Sequence, residues 1–141
     1  MNKRNTMDLT MPKTLKWLRL TIFGVAMVPG ALWAAPADPV AGAVVFKKCA
    51  SCHSVDPSGR NGIGPNLRGV VGRASGRAPG FSYSPAMAAA KLVWTEKNLA
   101  RFLASPRQTV PGTRMTFAGL PSPQDQANVI AFLKASGTAR K

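Results

Sequence analysis

Reactive side chains are scarce in this chain. Its 141 residues hold two cysteines, one histidine, one tyrosine and five acidic residues. Three Cys and His side chains fall short of the four ligands that a closed structural zinc site takes, so a zinc module does not fit. No stretch alternates apolar and polar residues as a half-buried strand would. The strand–helix–strand order that surrounds a thioredoxin-like dithiol is therefore missing as well. Internal repeats and low-complexity tracts are absent. Acid is scarce against 19 Lys and Arg, and the formal net charge is +14. Such a charge suits an acidic protein, nucleic acid or an anionic membrane, and composition does not choose among them. Nucleic acid is disfavoured because no binding motif is present and the basic residues are dispersed rather than clustered.

What is present divides the chain in two. Residues 1–37 read as an export signal: a basic head (Lys3, Arg4, Lys13, Lys16, Arg19) precedes "LTIFGVAMVPGALWAAPA", Leu20 to Ala37, which carries no charge. Pro29 and Gly30 break the apolar stretch, and Ala35-Pro36-Ala37 offers a small-x-small cleavage site, with cleavage after Ala34 as the alternative. The rival is a retained inner-membrane anchor over residues 20–37, since about 20 apolar residues span a bilayer. Either way the remainder is expected outside the cytoplasm, in the periplasm, and touches a membrane only if the leader stays. Without the leader's five basic residues and Asp8, 14 Lys and Arg face four Asp and Glu, a formal +10.

Residues 38–141 read as one small all-α domain of short helices and long loops. "DPVAGAVVFKKCASCH" suggests a helix with Asp38 as N-cap and Pro39 at its first position. "SPAMAAAK" suggests a second, capped by Ser84, and "TEKNLARFLAS" a third, capped by Thr95 with Leu99, Phe102 and Leu103 inward. "PRQTVPGTRMTFAGLP" reads as a loop. In "SPQDQANVIAFLKASG" Ser122 and Asp125 form a capping box, Val129, Phe132 and Leu133 a stripe, and Gly137 the end. Between His53 and Tyr83 lies an irregular stretch with seven glycines. So long a structureless connection is reasonable only if it wraps something. Helices of about ten residues are marginal alone, so an apolar group is needed to fill the middle.

The motif that could supply one is "CASCH", which gathers Cys49, Cys52 and His53 into five positions. C-x-x-C-H is the attachment pattern of c-type haem: two thiols three residues apart can each bond a vinyl group, with the histidine beneath the iron. A sixth ligand follows by elimination. No second histidine exists, and of the two methionines after the leader, Met87 falls in an alanine-rich helix and suits packing. Met115, in a Pro-Gly loop, remains.

The surrounding motifs carry a resemblance. "GAVVFKKCASCH", "GIGPNLRGVVGR", "APGFSYSPAM", Trp94, "PGTRMTFAG" and "VIAFL" follow one another as in class I cytochromes c of the mitochondrial and bacterial c2 kind, which the chain resembles from Ala41 to Gly137. The resemblance implies the cytochrome c fold: four or five short helices and long loops around one covalent haem c, attached through Cys49 and Cys52. It implies His53 and Met115 as axial ligands, the Pro65 carbonyl as partner of the histidine, and Arg73, Tyr83 and Trp94 near a haem propionate. Thr113 would position the ligand loop, and Gly42 and Phe46 would pack against Phe132. Two departures stand out. Phe102 replaces a tyrosine and Met87 a polar residue, which implies a reduction potential at or above the family norm.

Function follows as an expectation. A His/Met iron has no open position, so the chain should be a monomeric single-haem electron carrier and not an enzyme. Its partners would be acidic-surfaced oxidases, reductases or dehydrogenases, met by a basic rim that includes Lys47, Lys48, Arg107 and Arg114. The alternatives are a dedicated haem subunit of a periplasmic dehydrogenase, or a haem sensor or peroxidase should Met115 be labile.

Overall fold

A computed structural model describes residues 35–138. The expected leader and the anchor over residues 20–37 fall almost wholly outside the described residues. Among the described residues no helix is long and apolar enough to cross a membrane. Five helices occur in the order α1 (Pro39–Phe46), α2 (Pro85–Ala89), α3 (Glu96–Ala104), α4 (Pro106–Thr109) and α5 (Pro123–Thr138). Among the described residues the one extended pairing is an isolated bridge between Ala74 and Val93.

Local chemistry sets most of the helix starts. Asp38 accepts from the Val40 N–H at 2.8 Å, Ser84 Oγ from Met87 N–H at 3.1 Å, and Thr95 Oγ1 from Asn98 N–H at 3.1 Å. Each side chain satisfies a backbone donor that has no partner inside the helix. Pro39, Pro85 and Pro106 occupy first-turn positions of their helices, where a missing N–H costs nothing. Ser122 Oγ accepts from Asp125 N–H at 3.2 Å, which is one half of the expected capping box.

Three boundaries differ from the sequence reading. The first helix ends at Phe46 rather than running through CASCH. From Lys47 to Cys49 the backbone bonds shorten to i→i−3, and His53 N–H then reaches the Cys49 carbonyl at 2.9 Å. This tight turn, not a regular helix, carries the two thiols. The stretch after Ser105 holds α4, a single turn that the prolines around it disguise. Gly137 does not end the last helix, which continues to Thr138. A Cβ at Gly137 would stand 2.9 Å from the Gly69 Cα, so this glycine serves a close approach of chains.

The core forms where α1 crosses α5 and α3 lies beside α5. A Cβ at Gly42 would collide with the Asn128 carbonyl oxygen of α5, so only glycine permits this crossing. Beside it Phe46 meets Phe132 with ring centroids 5.1 Å apart. Val129, Ile130 and Leu133 face inward from α5, while Leu99, Phe102 and Leu103 do so from α3. All of these inward-facing side chains except Ile130 line a cavity, and the long loop over residues 53–83 supplies another part of its lining.

Candidate functional site

The cavity measures about 640 Å³, within the range of roughly 300–1,000 Å³ that holds cofactors and other small ligands. All nine residues read as site residues line it: Cys49, Cys52, His53, Pro65, Arg73, Tyr83, Trp94, Thr113 and Met115. Of the four basic residues read as its rim, Lys48 and Arg114 line it, whereas Lys47 and Arg107 are exposed elsewhere.

The His53 imidazole is held from two sides. Nδ1 lies 2.8 Å from the Pro65 carbonyl oxygen, and a carbonyl can only accept, so Nδ1 carries the proton. Nε2 is thereby left as the atom with a free lone pair. Gly64 packs flat against the same ring: a Cβ there would stand 2.7 Å from Nδ1 and 2.8 Å from Nε2. The glycine is thus a condition for the ring's placement.

The remaining residues fix the walls. Met115 N–H donates to Thr113 Oγ1 at 3.3 Å, which ties the methionine to the preceding turn. Arg114 donates to the Ser82 carbonyl at 2.7 Å and so joins the methionine loop to the loop before α2. Arg73 donates to the carbonyls of Asn66 at 3.0 Å and Arg68 at 3.3 Å. Burial pulls its pKa below the ordinary value, and Tyr83 acts in the opposite sense. Tyr83 Oη accepts from the Ala78 N–H at 3.2 Å. The Trp94 and Phe102 rings meet at a tilt of 54° with centroids 5.0 Å apart, and buried Met87 also lines the cavity. Burial pushes the Cys49 thiol up, with Lys48 pulling it down more weakly.

Several wall residues were not singled out in the sequence reading, among them Ile63, Leu67, Val70, Phe81 and Phe117. Ile63 is 81% exposed yet lines the cavity, an apolar side chain presented to solvent at its mouth. Its signal was available: it stands alone among polar and glycine neighbours in "NGIGP". Phe81 also lines the cavity and meets the Tyr83 ring edge-on at 4.9 Å.

These features fit a haem. Both thiols are free, the cavity is walled mainly by apolar side chains, and Arg73 brings a half-buried cation whose protein partners are two neutral carbonyls. An anionic group on the ligand would complete its pairing.

Comparison with known proteins then decides the family. Residues 39–136 match the family model described as Cytochrome c. The chain belongs to the cytochrome c family. Cytochrome c2 of Rhodomicrobium vannielii is 46% identical over 119 residues, 84% of this chain and 95% of that protein. Cytochrome c-554 of Methylosinus trichosporium is 39% identical over 129 residues, covering 92% and 98%. Among solved structures, cytochrome cH from Methylobacterium extorquens superposes with a TM-score of 0.67 at 39% identity, covering 70% of this chain and 99% of that one. Membership carries the all-α cytochrome c fold, covalent haem c on Cys49 and Cys52, and the role of single-haem electron carrier.

Proposed function

We propose that this cytochrome holds its iron between His53 Nε2 and Met115 Sδ and passes single electrons between periplasmic redox proteins with acidic docking surfaces. The observation that carries the ligation is the shared cavity: the imidazole whose Nδ1 is engaged by Pro65 and the thioether of Met115 line the same space as both attachment cysteines. Bound haem supplies a one-electron couple, and a thioether ligand favours its ferrous form. The protein's part is orientation and exclusion. Pro65 keeps the proton on Nδ1, Thr113 anchors the loop behind Met115, and Trp94, Phe102 and Met87 keep water from that wall. With His53 and Met115 both holding the iron, no exchangeable position would be left for a substrate.

Docking follows from charge. Exposed Lys48, Arg114 and Ile63 all line the cavity, so two cations and an apolar side chain reach solvent from its lining. This arrangement suits a partner with a carboxylate rim around an apolar centre. The export pattern of residues 1–37 supports the periplasm as the working compartment.

Replacing Met115 with alanine in protein matured with its haem tests the ligation. The ferric spectrum should lose its sulfur-to-iron charge-transfer band, and the ferrous form should gain carbon monoxide binding at neutral pH. An optical spectrum untouched by the substitution overturns the proposal.

A further inference from the structure

We propose that Asn61 is a positioning residue for the axial imidazole, acting through the peptide bond between Pro65 and Asn66. The carbonyl of that peptide accepts from His53 Nδ1–H at 2.8 Å, and its N–H donates to Asn61 Oδ1 at 2.9 Å. One amide group thus has the imidazole on one end and the Asn61 side chain on the other. The other half of the Asn61 amide is committed too: Nδ2 donates to the Pro79 carbonyl at 2.9 Å. The side chain therefore cannot rotate without breaking a bond to a distant part of the same long loop, and its oxygen is held on the Asn66 N–H.

The chemical consequence runs along the amide. An acceptor on the N–H draws electron density through the conjugated C–N bond toward the carbonyl oxygen, and hydrogen bonds in a chain strengthen one another. A stronger acceptor at Pro65 pulls harder on the Nδ1 proton and makes Nε2 a better donor, as partners behind a ligand do. Greater donation stabilises the ferric state. Asn61 thereby favours ferric iron although it does not line the cavity. Asn66 is a different case: its side chain is 4% exposed and bonds Ser54, Asp56, Arg60 and Arg68, so it knits its own loop together. Half-buried Asn61 can be changed without opening that knot.

The test uses the full haem-bearing protein with ¹⁵N-labelled histidine. In Asn61→Ala the Nδ1–H resonance of ferrous His53 should move to higher field and exchange faster with water. The ferrous-to-ferric ratio at a fixed ambient potential should rise about twofold. Asn61→Asp gives up the Nδ2 bond to Pro79 but keeps an acceptor of the same size on the Asn66 N–H and makes it anionic. Resonance and ratio should therefore both move the opposite way although the tie to Pro79 is lost. Should the alanine variant fail to mature, the isosteric aspartate variant carries the test alone. Variants that melt earlier while resonance and ratio stay at wild-type values overturn the inference and leave Asn61 as a tie between two parts of its loop. The inference rests on His53 being an axial ligand, which the wild-type spectrum tests separately. A wild type without His/Met features sinks that ligation, whereas a normal wild type with silent variants sinks the role of Asn61 alone.

Discussion

Gly64 shows how a single hydrogen atom in place of a methyl group governs the iron site. Its missing side chain is the space that the His53 ring occupies, with both ring nitrogens within 2.8 Å of where a Cβ would stand. Gly64→Ala must therefore push the imidazole aside or break its bond to Pro65. Overpacking of this kind costs about 1–3 kcal/mol, and here the displaced group is the proposed ligand. The expected result is a lower melting temperature together with an altered ferric spectrum, read by calorimetry and absorbance on the same sample. A second single-atom effect lies across the cavity. Phe102, tilted against Trp94, and buried Met87 contribute no hydroxyl or amide of their own to the cavity lining. Phe102→Tyr adds one hydroxyl to an apolar wall, where an oriented dipole is stronger than in water. Potentiometric titration should show a lower reduction potential, because a polar group near the iron stabilises its extra positive charge.

At the scale of elements, the crossing of α1 and α5 depends on Gly42. An alanine there drives a methyl group into the Asn128 carbonyl and the Phe132 Cβ, and backbone atoms cannot swing aside as side chains can. Gly42→Ala should cost about 3 kcal/mol, the upper end for overpacking. At roughly 4–8 °C per kcal/mol for a domain of this size, the melting temperature should fall by more than about 10 °C. The same elements show what the amino-acid order reveals. Asp38, Ser84 and Thr95 announce their helices because capping is a transaction within four residues. α4 was hidden because one turn of helix has no period to display, and Val110-Pro111 directly behind it reads as loop. Gly137 misled for another reason: a glycine that admits a distant chain looks the same in sequence as one that ends a helix. CASCH was legible because its chemistry is contiguous. The joint placement of Arg73, Tyr83 and Trp94 was not, since their common wall exists only after the loops fold back, and the family resemblance alone drew them together. Asn61 was silent because its partners, Asn66 and Pro79, stand five and 18 positions away within one irregular loop that shows no period.

For the whole molecule, charge and shape act together. The formal net charge of +14 is spread over the chain, and the described acidic residues neutralise little of it locally. Lys48 sits 4.0 Å from Asp125 and Lys134 2.7 Å from Glu96, both exposed pairs of small worth. The molecule therefore presents a broad positive field, with Lys48 and Arg114 reaching solvent from the cavity lining. Attraction of this range fades once the screening length falls below about 10 Å, which happens above about 0.1 M salt. Stopped-flow oxidation by an acidic redox partner should slow severalfold between low and moderate ionic strength, and a flat profile would remove steering from the account. The cavity has a consequence for the protein's birth. Its walls are drawn from the first helix, the glycine-rich loop, the methionine loop and the last helix, so beyond the direct packing of α1 on α5 these parts would share their interior through a guest between them. Ligation of the pigment must then act on an open chain, and the interval before it is when proteases and the newborn polypeptide compete.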